Sequence, residues 1–330
     1  MSTPHVSVIV PLHNEAQSIE ALYARLTATM QKLGVTYEFV FVDDGSTDGT
    51  SGLLHAIVQR APEVRVVRLK RNYGQTPALA AGFDHAQGEV LITMDGDLQH
   101  VPEDIPLLLA RLNQGYDVVS GWRAQRVDHW LSRRLPSRIA NWCMARLAGV
   151  DLRDFGSTFK AYRREVVRNL ELMGELHRFI PALLAAQGAR ITEVPIQNVP
   201  RQEGRSHYGL SRIIRVLCDF ITIRYLVRYA SSPMYGIGRL GLFCLLGGLF
   251  TPVVSFGLGL AGVLHGALSV GVAVAAGTAV LAGVQLISAG LVLEYLMRME
   301  LRSHRRRIYA VESVEPSIAA EPAAERVRRL

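Results

Sequence analysis

The sequence predicts an α/β protein: a doubly wound, mostly parallel sheet, followed by amphipathic interfacial helices and a two-helix membrane hairpin. Three observations lead there. Short β-branched runs recur through the first 125 residues and alternate with helical patterns. Polar clusters follow directly on several of those runs. The stretch from Leu240 to Leu293 carries no Asp, Glu, Lys or Arg.

The strands are expected at Val6 to Val10, Glu38 to Val42, Val64 to Leu69, Glu89 to Met94 and Asp117 to Gly121. Their near-continuous apolar character suits strands covered on both faces. Helical patterns run from Ser18 to Leu33 and from Pro102 to Gln114. In open sheets of this kind ligands bind beyond the carboxyl ends of the strands. Three polar clusters fall at such ends: "PLHNE" after the first strand, "DDGSTDGT" after the second and "DGDLQ" after the fourth.

Asp95, Asp97 and Gln99 present hard oxygen ligands at alternate positions. That set suits Mg²⁺ or Mn²⁺ held by a few protein oxygens together with substrate phosphates. A calcium loop is excluded, because His100 stands where such a loop needs Gly and Pro106 where it needs Glu. In the second cluster, Ser46 or Asp48 can cap a helix starting near Gly49. Capping does not require the extra acid of the Asp43–Asp44 pair, which can accept hydrogen bonds from a nucleobase or ribose. Pro11, His13 and Glu15 end the first strand beside them.

The uncharged runs from Leu240 to Leu264 and from Gly266 to Leu293 each exceed the roughly 20 residues that span a bilayer. Spans are expected at about 240–264 and 267–293, within a unit of 236–300. Arg224, Arg228 and Arg239 precede them, and Arg298, Arg302, Arg305, Arg306 and Arg307 follow. The loop between has neither Lys nor Arg, so the catalytic domain (1–208) and both termini are expected in the cytoplasm. The hexapeptide "GIGRLG" at Gly236 to Gly241 fits a dinucleotide-binding pattern by letter only. No strand precedes it, and it reads as the start of a membrane helix. The tail, 301–330, reads as basic and then, from Ala310, disordered.

A net charge of +7 calls for an anionic partner. Arg123, Arg126, Arg133, Arg134, Arg138 and Arg146 alternate with Trp122, Trp130, Leu131, Leu135, Ile139, Trp142 and Leu147. That pattern reads as a basic interfacial helix near 123–148 facing anionic headgroups, and 209–235 reads as a second interfacial segment. With a hairpin next door, an anionic membrane surface is the expected partner and nucleic acid is not. The three cysteines, Cys143, Cys218 and Cys244, form no CxxC pair, which argues against a disulfide framework or a zinc site. The first fifteen residues lack the pattern of a signal peptide.

Taken together, "VSVIVPLHNE", "FVDDGSTDGT", "RNYGQTPALAAGF", "MDGDLQH" and "RFIPALLAAQGARITEVPI" resemble a family 2 glycosyltransferase of the polyprenyl-phosphate type, the group of bactoprenol glucosyltransferases and dolichol-phosphate mannose synthases. The resemblance covers about residues 5 to 300. It implies a GT-A fold and a nucleotide-sugar donor, a UDP-sugar first. It implies that Pro11, His13, Glu15 and Asp44 line the nucleoside pocket, that Asp95 lies near ribose and diphosphate, and that Asp97 with Gln99 holds the metal. The segment Asn72 to Leu79, with Gly74, would pass beside the nucleotide. On the acceptor side it implies Arg123, Arg134, Ser157, Arg201, Arg205, Ser206 and His207. Ser157 stands where the family has Cys, and His207 replaces the Lys of R-x-x-G-x-S-K-Y.

The reaction implied is inverting transfer of a sugar to polyprenyl (undecaprenyl) phosphate at the cytoplasmic membrane face, for modification of envelope glycans. Glucose is the expected sugar, with aminoarabinose, GlcNAc, galactose and mannose as alternatives on the same framework. Asp95, Asp97, Arg201 and Ser206 would carry catalysis, and a homo-oligomer is compatible with it. A phosphate monoester is largely dianionic near neutral pH, with a second pKa of roughly 6, so the attacking oxygen needs no carboxylate base. A membrane-bound nucleotidyltransferase is the rival enzyme, but "PLHNE" is no glycine- and lysine-rich phosphate loop. A processive polysaccharide synthase would add QxxRW and further spans. A scaffold would not need Asp95, Asp97 and Gln99 together.

Overall fold

The computed structural model describes residues 4–124, 145–146, 149–150, 152–168, 170, 172, 176–197, 199, 233–260, 267–300 and 308–316. They fall into two compact units. One holds everything up to residue 199 together with 308–316, and the other holds the helices 233–260 and 267–300.

In the larger unit, β1 (Val6–Leu12), β2 (Tyr37–Asp43), β3 (Val64–Leu69) and β4 (Val90–Thr93) form the parallel heart of an eight-stranded sheet. The other strands are β5 (Val118–Arg123), β6 (Lys160–Arg163), β7 (Ile191–Ile196) and β8 (Val311–Pro316), and the order is β7-β5-β6-β4-β1-β2-β3-β8. β6 runs antiparallel to both β4 and β5, and β8 antiparallel to β3, so the sheet is mixed. All five expected strands are present. The expected mostly parallel character holds for the centre and for β7 beside β5, and gives way at β6 and β8; sequence reading placed none of β6, β7 and β8.

Helices cover both faces. α1 (Ile19–Leu33), α2 (Thr50–Arg60) and α4 (Ile105–Leu112) pack on one side, meeting Val8, Val10, Phe39, Phe41 and Ile92. α3 (Gln75–His85) and α6 (Ile180–Ala186) pack on the other, meeting Ile9, Val40, Val42, Val67 and Leu91. Neighbouring strand residues thus feed opposite cores, which is why the strands read as unbroken apolar runs. Between β6 and α6 lie the short helix α5 (Arg164–Val167) and a 3-10 turn, Leu176–Phe179.

The tail departs from expectation. Residues 311–316 are ordered as β8 on the free edge of β3, so the reading of disorder from Ala310 does not hold for them. Charge and one ring explain it. Glu312 pairs with Arg68 at 3.2 Å, Glu315 with His55 at 2.7 Å, and the buried Tyr309 donates its hydroxyl to Asp84 at 2.6 Å. A polar composition that looks disordered alone is complementary to the edge it joins.

In the smaller unit, α7 (Pro233–Leu260) and α8 (Ala267–Glu300) pair with each other. Met234–Leu260 and Ser269–Leu296 have mean hydropathies of 1.9 and 2.0, long and apolar enough to cross a membrane. Phe243 is 77% exposed and Phe256 72%, as lipid-facing side chains would be. Between the helices, Gly241 faces Gly283, Gly248 faces Ala276, and Gly290 faces Gly238. A methyl on Gly241 would lie 2.9 Å from the Gly283 carbonyl, and one on Gly248 2.8 Å from that of Ala276. The hydroxyls of Thr251, Ser255 and Thr278 donate back to carbonyls of their own helices. "GIGRLG" lies inside α7, as read from the sequence.

The expected interfacial segments fall mostly on 125–144 and 201–232, outside the described residues. Where they can be checked, one correction follows: Trp122 and Arg123 are the last residues of β5, not the start of a helix.

Candidate active site

The site lies beyond the carboxyl ends of β1, β2 and β4, where two loops are stitched together before any ligand arrives. Asn14, at a left-handed φ of 57°, accepts the Thr47 amide on its side-chain oxygen at 2.8 Å, and its own amide donates to Ser46 Oγ at 3.0 Å. The Glu15 and Ala16 amides donate to Thr50 Oγ1 and Asp48 Oδ2. "STDGT" thus serves mainly to bind the first loop to the second. The N-cap position of α2 is Gly49, yet Asp48 Oδ1 accepts the amide of Thr50, the first residue of the helix, at 2.9 Å, so the expected capping by Asp48 is made from one residue further back.

Asp43 and Asp44 divide their work. Asp43 is fully buried, accepting the Ser46 amide at 2.9 Å and the Ser51 hydroxyl. Asp44 accepts the Tyr73 and Gly74 amides, one on each oxygen, both at 2.8 Å. Burial pushes the Asp44 carboxyl up, while those two amides and His13 oppose the rise. Gly45 makes this reach possible. Its φ is 63°, and a methyl there would run into the backbone of Arg71 and Asn72. His13 Nδ1 lies 2.9 Å from the Asp44 carbonyl oxygen, which can only accept, so that nitrogen carries a proton.

The fourth strand delivers the acids. Asp95 Oδ1 accepts from Gln75 Nε2 at 2.7 Å. Asp97 Oδ1 accepts the Gln99 amide at 3.1 Å across Leu98, whose φ of 61° is rare for a branched residue. The buried His100 accepts the Asp95 amide on Nδ1 at 3.3 Å and stacks at 5.4 Å on Phe159. Burial pushes its imidazole down, against the pull of Asp95 and Asp97.

Pro11, His13, Glu15, Asp44, Gly74, Asp95 and Asp97 all line one cavity of about 360 Å³, with Leu12, Asn72, Gln75, Ala78 and Gly96. Pro11, His13, Glu15, Asp44 and Gly74, assigned to the nucleotide by resemblance, thus share one cavity with the acid pair. Gln99 is not among the lining residues, and its amide, not its side chain, is what meets Asp97. Among the described residues no three His, Cys, Asp or Glu side chains converge as a closed metal site. Two carboxylates opening on one cavity still fit a hard cation completed by phosphate oxygens.

Behind the acids is a buried cluster in which sequence reading named Arg123 and Ser157 but missed Lys160 and Asp154. Lys160, opposite Thr93 in the sheet and 1% exposed, donates to the Ser157 carbonyl. Burial pushes its amine down to about 8, with Asp154 and Asp95 opposing. Arg123 is bound to Asp154 through Nε at 2.8 Å and Nη2 at 3.1 Å. Ser157 is 1% exposed and its hydroxyl has no hydrogen-bond partner among the described residues. Of the other acceptor residues expected, Arg134, Arg201, Arg205, Ser206 and His207 lie outside the described residues.

The family model described as glycosyl transferase family 2 matches residues 7–171. The chain is also 37% identical over 317 residues to a dodecaprenyl-phosphate galacturonate synthase of Rhizobium johnstonii, covering 94% of this chain and 92% of that one. The chain belongs to glycosyl transferase family 2. This glycosyltransferase is likewise 37% identical over 321 residues to an undecaprenyl-phosphate 4-deoxy-4-formamido-L-arabinose transferase of Pseudomonas aeruginosa, covering 97% of this chain and 92% of that one. Among solved structures it is similar to glucosyl-3-phosphoglycerate synthase of Mycobacterium tuberculosis in complex with Mn²⁺ and UDP-glucose. The TM-score is 0.51 at 19% identity, over 68% of this chain and 79% of that one, which establishes the GT-A fold.

Proposed function

We propose that this glycosyltransferase moves a sugar from a nucleotide-sugar donor to polyprenyl phosphate at the cytoplasmic face of the inner membrane, with inversion. One observation carries the reading: Asp95 and Asp97 share a single cavity with Asp44 and the Pro11–Glu15 loop. A nucleoside pocket with an acid pair at its end suits a nucleoside diphosphate leaving group. The relatives named above, which span nearly the whole chain, support a polyprenyl-phosphate acceptor. Their names give galacturonate and 4-deoxy-4-formamido-L-arabinose rather than glucose, which favours the alternative of another sugar on the same framework over the expected glucose.

In this reading His13, Glu15 and Asp44 hold the nucleoside, and Asp95 faces ribose and diphosphate. Asp97, Asp95 and Gln99 would hold Mg²⁺ or Mn²⁺, which supplies charge stabilisation to the departing diphosphate. The acceptor phosphate falls to Arg123, Arg134, Ser157, Arg201, Arg205, Ser206 and His207, which orient an oxygen that is already ionised. α7 and α8 cross the membrane with both chain ends in the cytoplasm.

Membranes containing the protein, given undecaprenyl phosphate and a panel of nucleotide sugars (UDP-glucose, UDP-galacturonate, UDP-4-formamido-arabinose, GDP-mannose), should form one lipid-phosphate sugar. Asp97→Ala should lower its formation by about 10²–10³-fold. Transfer undiminished in that variant removes the metal assignment, and a product of retained configuration removes the direct attack.

A further inference from the structure

His177 is a buried ionisable group for which the proposed reaction has no use. It sits in the turn Leu176–Phe179, 4% exposed, with Nδ1 2.8 Å from Thr76 Oγ1, and Thr76 is 2% exposed. Thr76 belongs to the first turn of α3, the wall of the donor cavity. Its neighbour Gln75 donates to Asp95, and the two amides before that, of Tyr73 and Gly74, are taken by Asp44. Four consecutive residues of one turn are therefore held from three other elements.

The turn needs holding. α3 has no side-chain cap, because its N-cap is Gly74, at φ 96° and ψ 170°, a conformation left to glycine. A helix start without its own cap leaves its first turn to be fixed from outside. Asp44 and Asp95 hold it from the ligand side, and both change partners or charge environment when a nucleotide and a cation arrive. The contact of Thr76 with His177 lies on the far side and does not depend on ligand.

We propose that His177 is a positioning residue for the nucleotide donor: through Thr76 it fixes the first turn of α3, and so holds Gln75 against Asp95 at the diphosphate end of the cavity. The inference rests on the donor reading given above. Burial, with Arg178 and Lys160 nearby, pushes the imidazole down to about 4, so the strut is neutral and adds no charge beneath the acids. Partners one step removed from a ligand-binding group shift affinity by about 10–100-fold when removed, and His177, a further step back through Thr76, should act at the low end of that range.

The test uses the full-length protein in detergent, as His177→Ala, His177→Asn, His177→Gln and the near-isosteric Thr76→Val. An Asn amide reaches the place of Nδ1, whereas Gln reaches that of Nε2. The Ala, Gln and Val variants should raise the KM for nucleotide sugar and the half-saturating Mn²⁺ by about tenfold, with kcat and the KM for undecaprenyl phosphate within about twofold. Asn should restore both donor values. In parallel, hydrogen exchange at the amides of Gln75, Thr76 and Ala78 of the ligand-free protein should quicken in the Ala variant and not in the Asn variant. Unchanged donor KM in both Ala and Val variants overturns the proposal, as does a uniform loss of kcat and both KM values that Asn fails to rescue. If the wild type transfers no sugar at all, the donor reading has failed. The exchange experiment still decides whether His177 fixes the turn, so the two failures stay separate.

Discussion

Single residues here answer to geometry more than to chemical type. Gly45 is the sharpest case, since both its positive φ and its contact with the Arg71–Asn72 backbone forbid a side chain. Gly45→Ala should cost about 2–4 kcal/mol in thermal unfolding and weaken UDP binding, because Asp44 can no longer reach the α3 turn. His177 sets a pH dependence with a definite sign. Its native value of about 4 lies below the ordinary value of about 6.5, so between the two the unfolded chain binds the proton and the native state does not. This contribution is complete above about pH 6.5 and is lost as pH falls towards 4, by about 3 kcal/mol over the window. Unfolding midpoints from pH 7 to 4.5 should fall more steeply for wild type than for His177→Asn. Parallel curves would assign the acid sensitivity elsewhere. The acids of the site were legible in the sequence because Asp95, Asp97 and Asp44 stand at strand ends. His177, Gln75 and Lys160 were not, since nothing local separates a buried histidine or lysine from a surface one. Gln75 and His177 acquire their roles from partners 20 and 101 positions away.

At the level of elements, legibility followed apolarity. β1 to β5 announced themselves as runs covered on both sides, whereas β6, "KAYR", is central and antiparallel yet bounded by two cations. Lys160 is buried among acids and Arg163 reaches the Tyr116 and Leu112 carbonyls, so the polar ends of this strand are satisfied at long range. β8 was hidden for the same reason. Tyr309→Phe should cost about 1 kcal/mol through the lost bond to Asp84. A chain ending at residue 307 should lower the unfolding midpoint further and expose the β3 edge to aggregation, read by light scattering. If truncation leaves the midpoint unchanged, β8 contributes nothing to the sheet. In the hairpin, Gly283→Leu would force its side chain towards the Leu245 amide, so cysteines introduced across α7 and α8 should cross-link less readily in that variant.

For the whole molecule, sequence reading reached the architecture because the two units obey different solvents: strand-and-helix alternation in one, uninterrupted apolarity in the other. The two spans with their flanking arginines make an orientation testable. A cysteine introduced at position 265 should be labelled by an impermeant reagent from the outer side of intact cells, and one at position 320 only after permeabilisation. The reverse pattern would invert the assignment of the catalytic unit. The edge strand β8 has a consequence for how such a chain is made. The ribosome delivers it after both apolar helices, so the sheet that frames the donor cavity stays open along β3 until those helices have left the ribosome. A chain interrupted before β8 is thereby marked by an unpaired edge available to quality control.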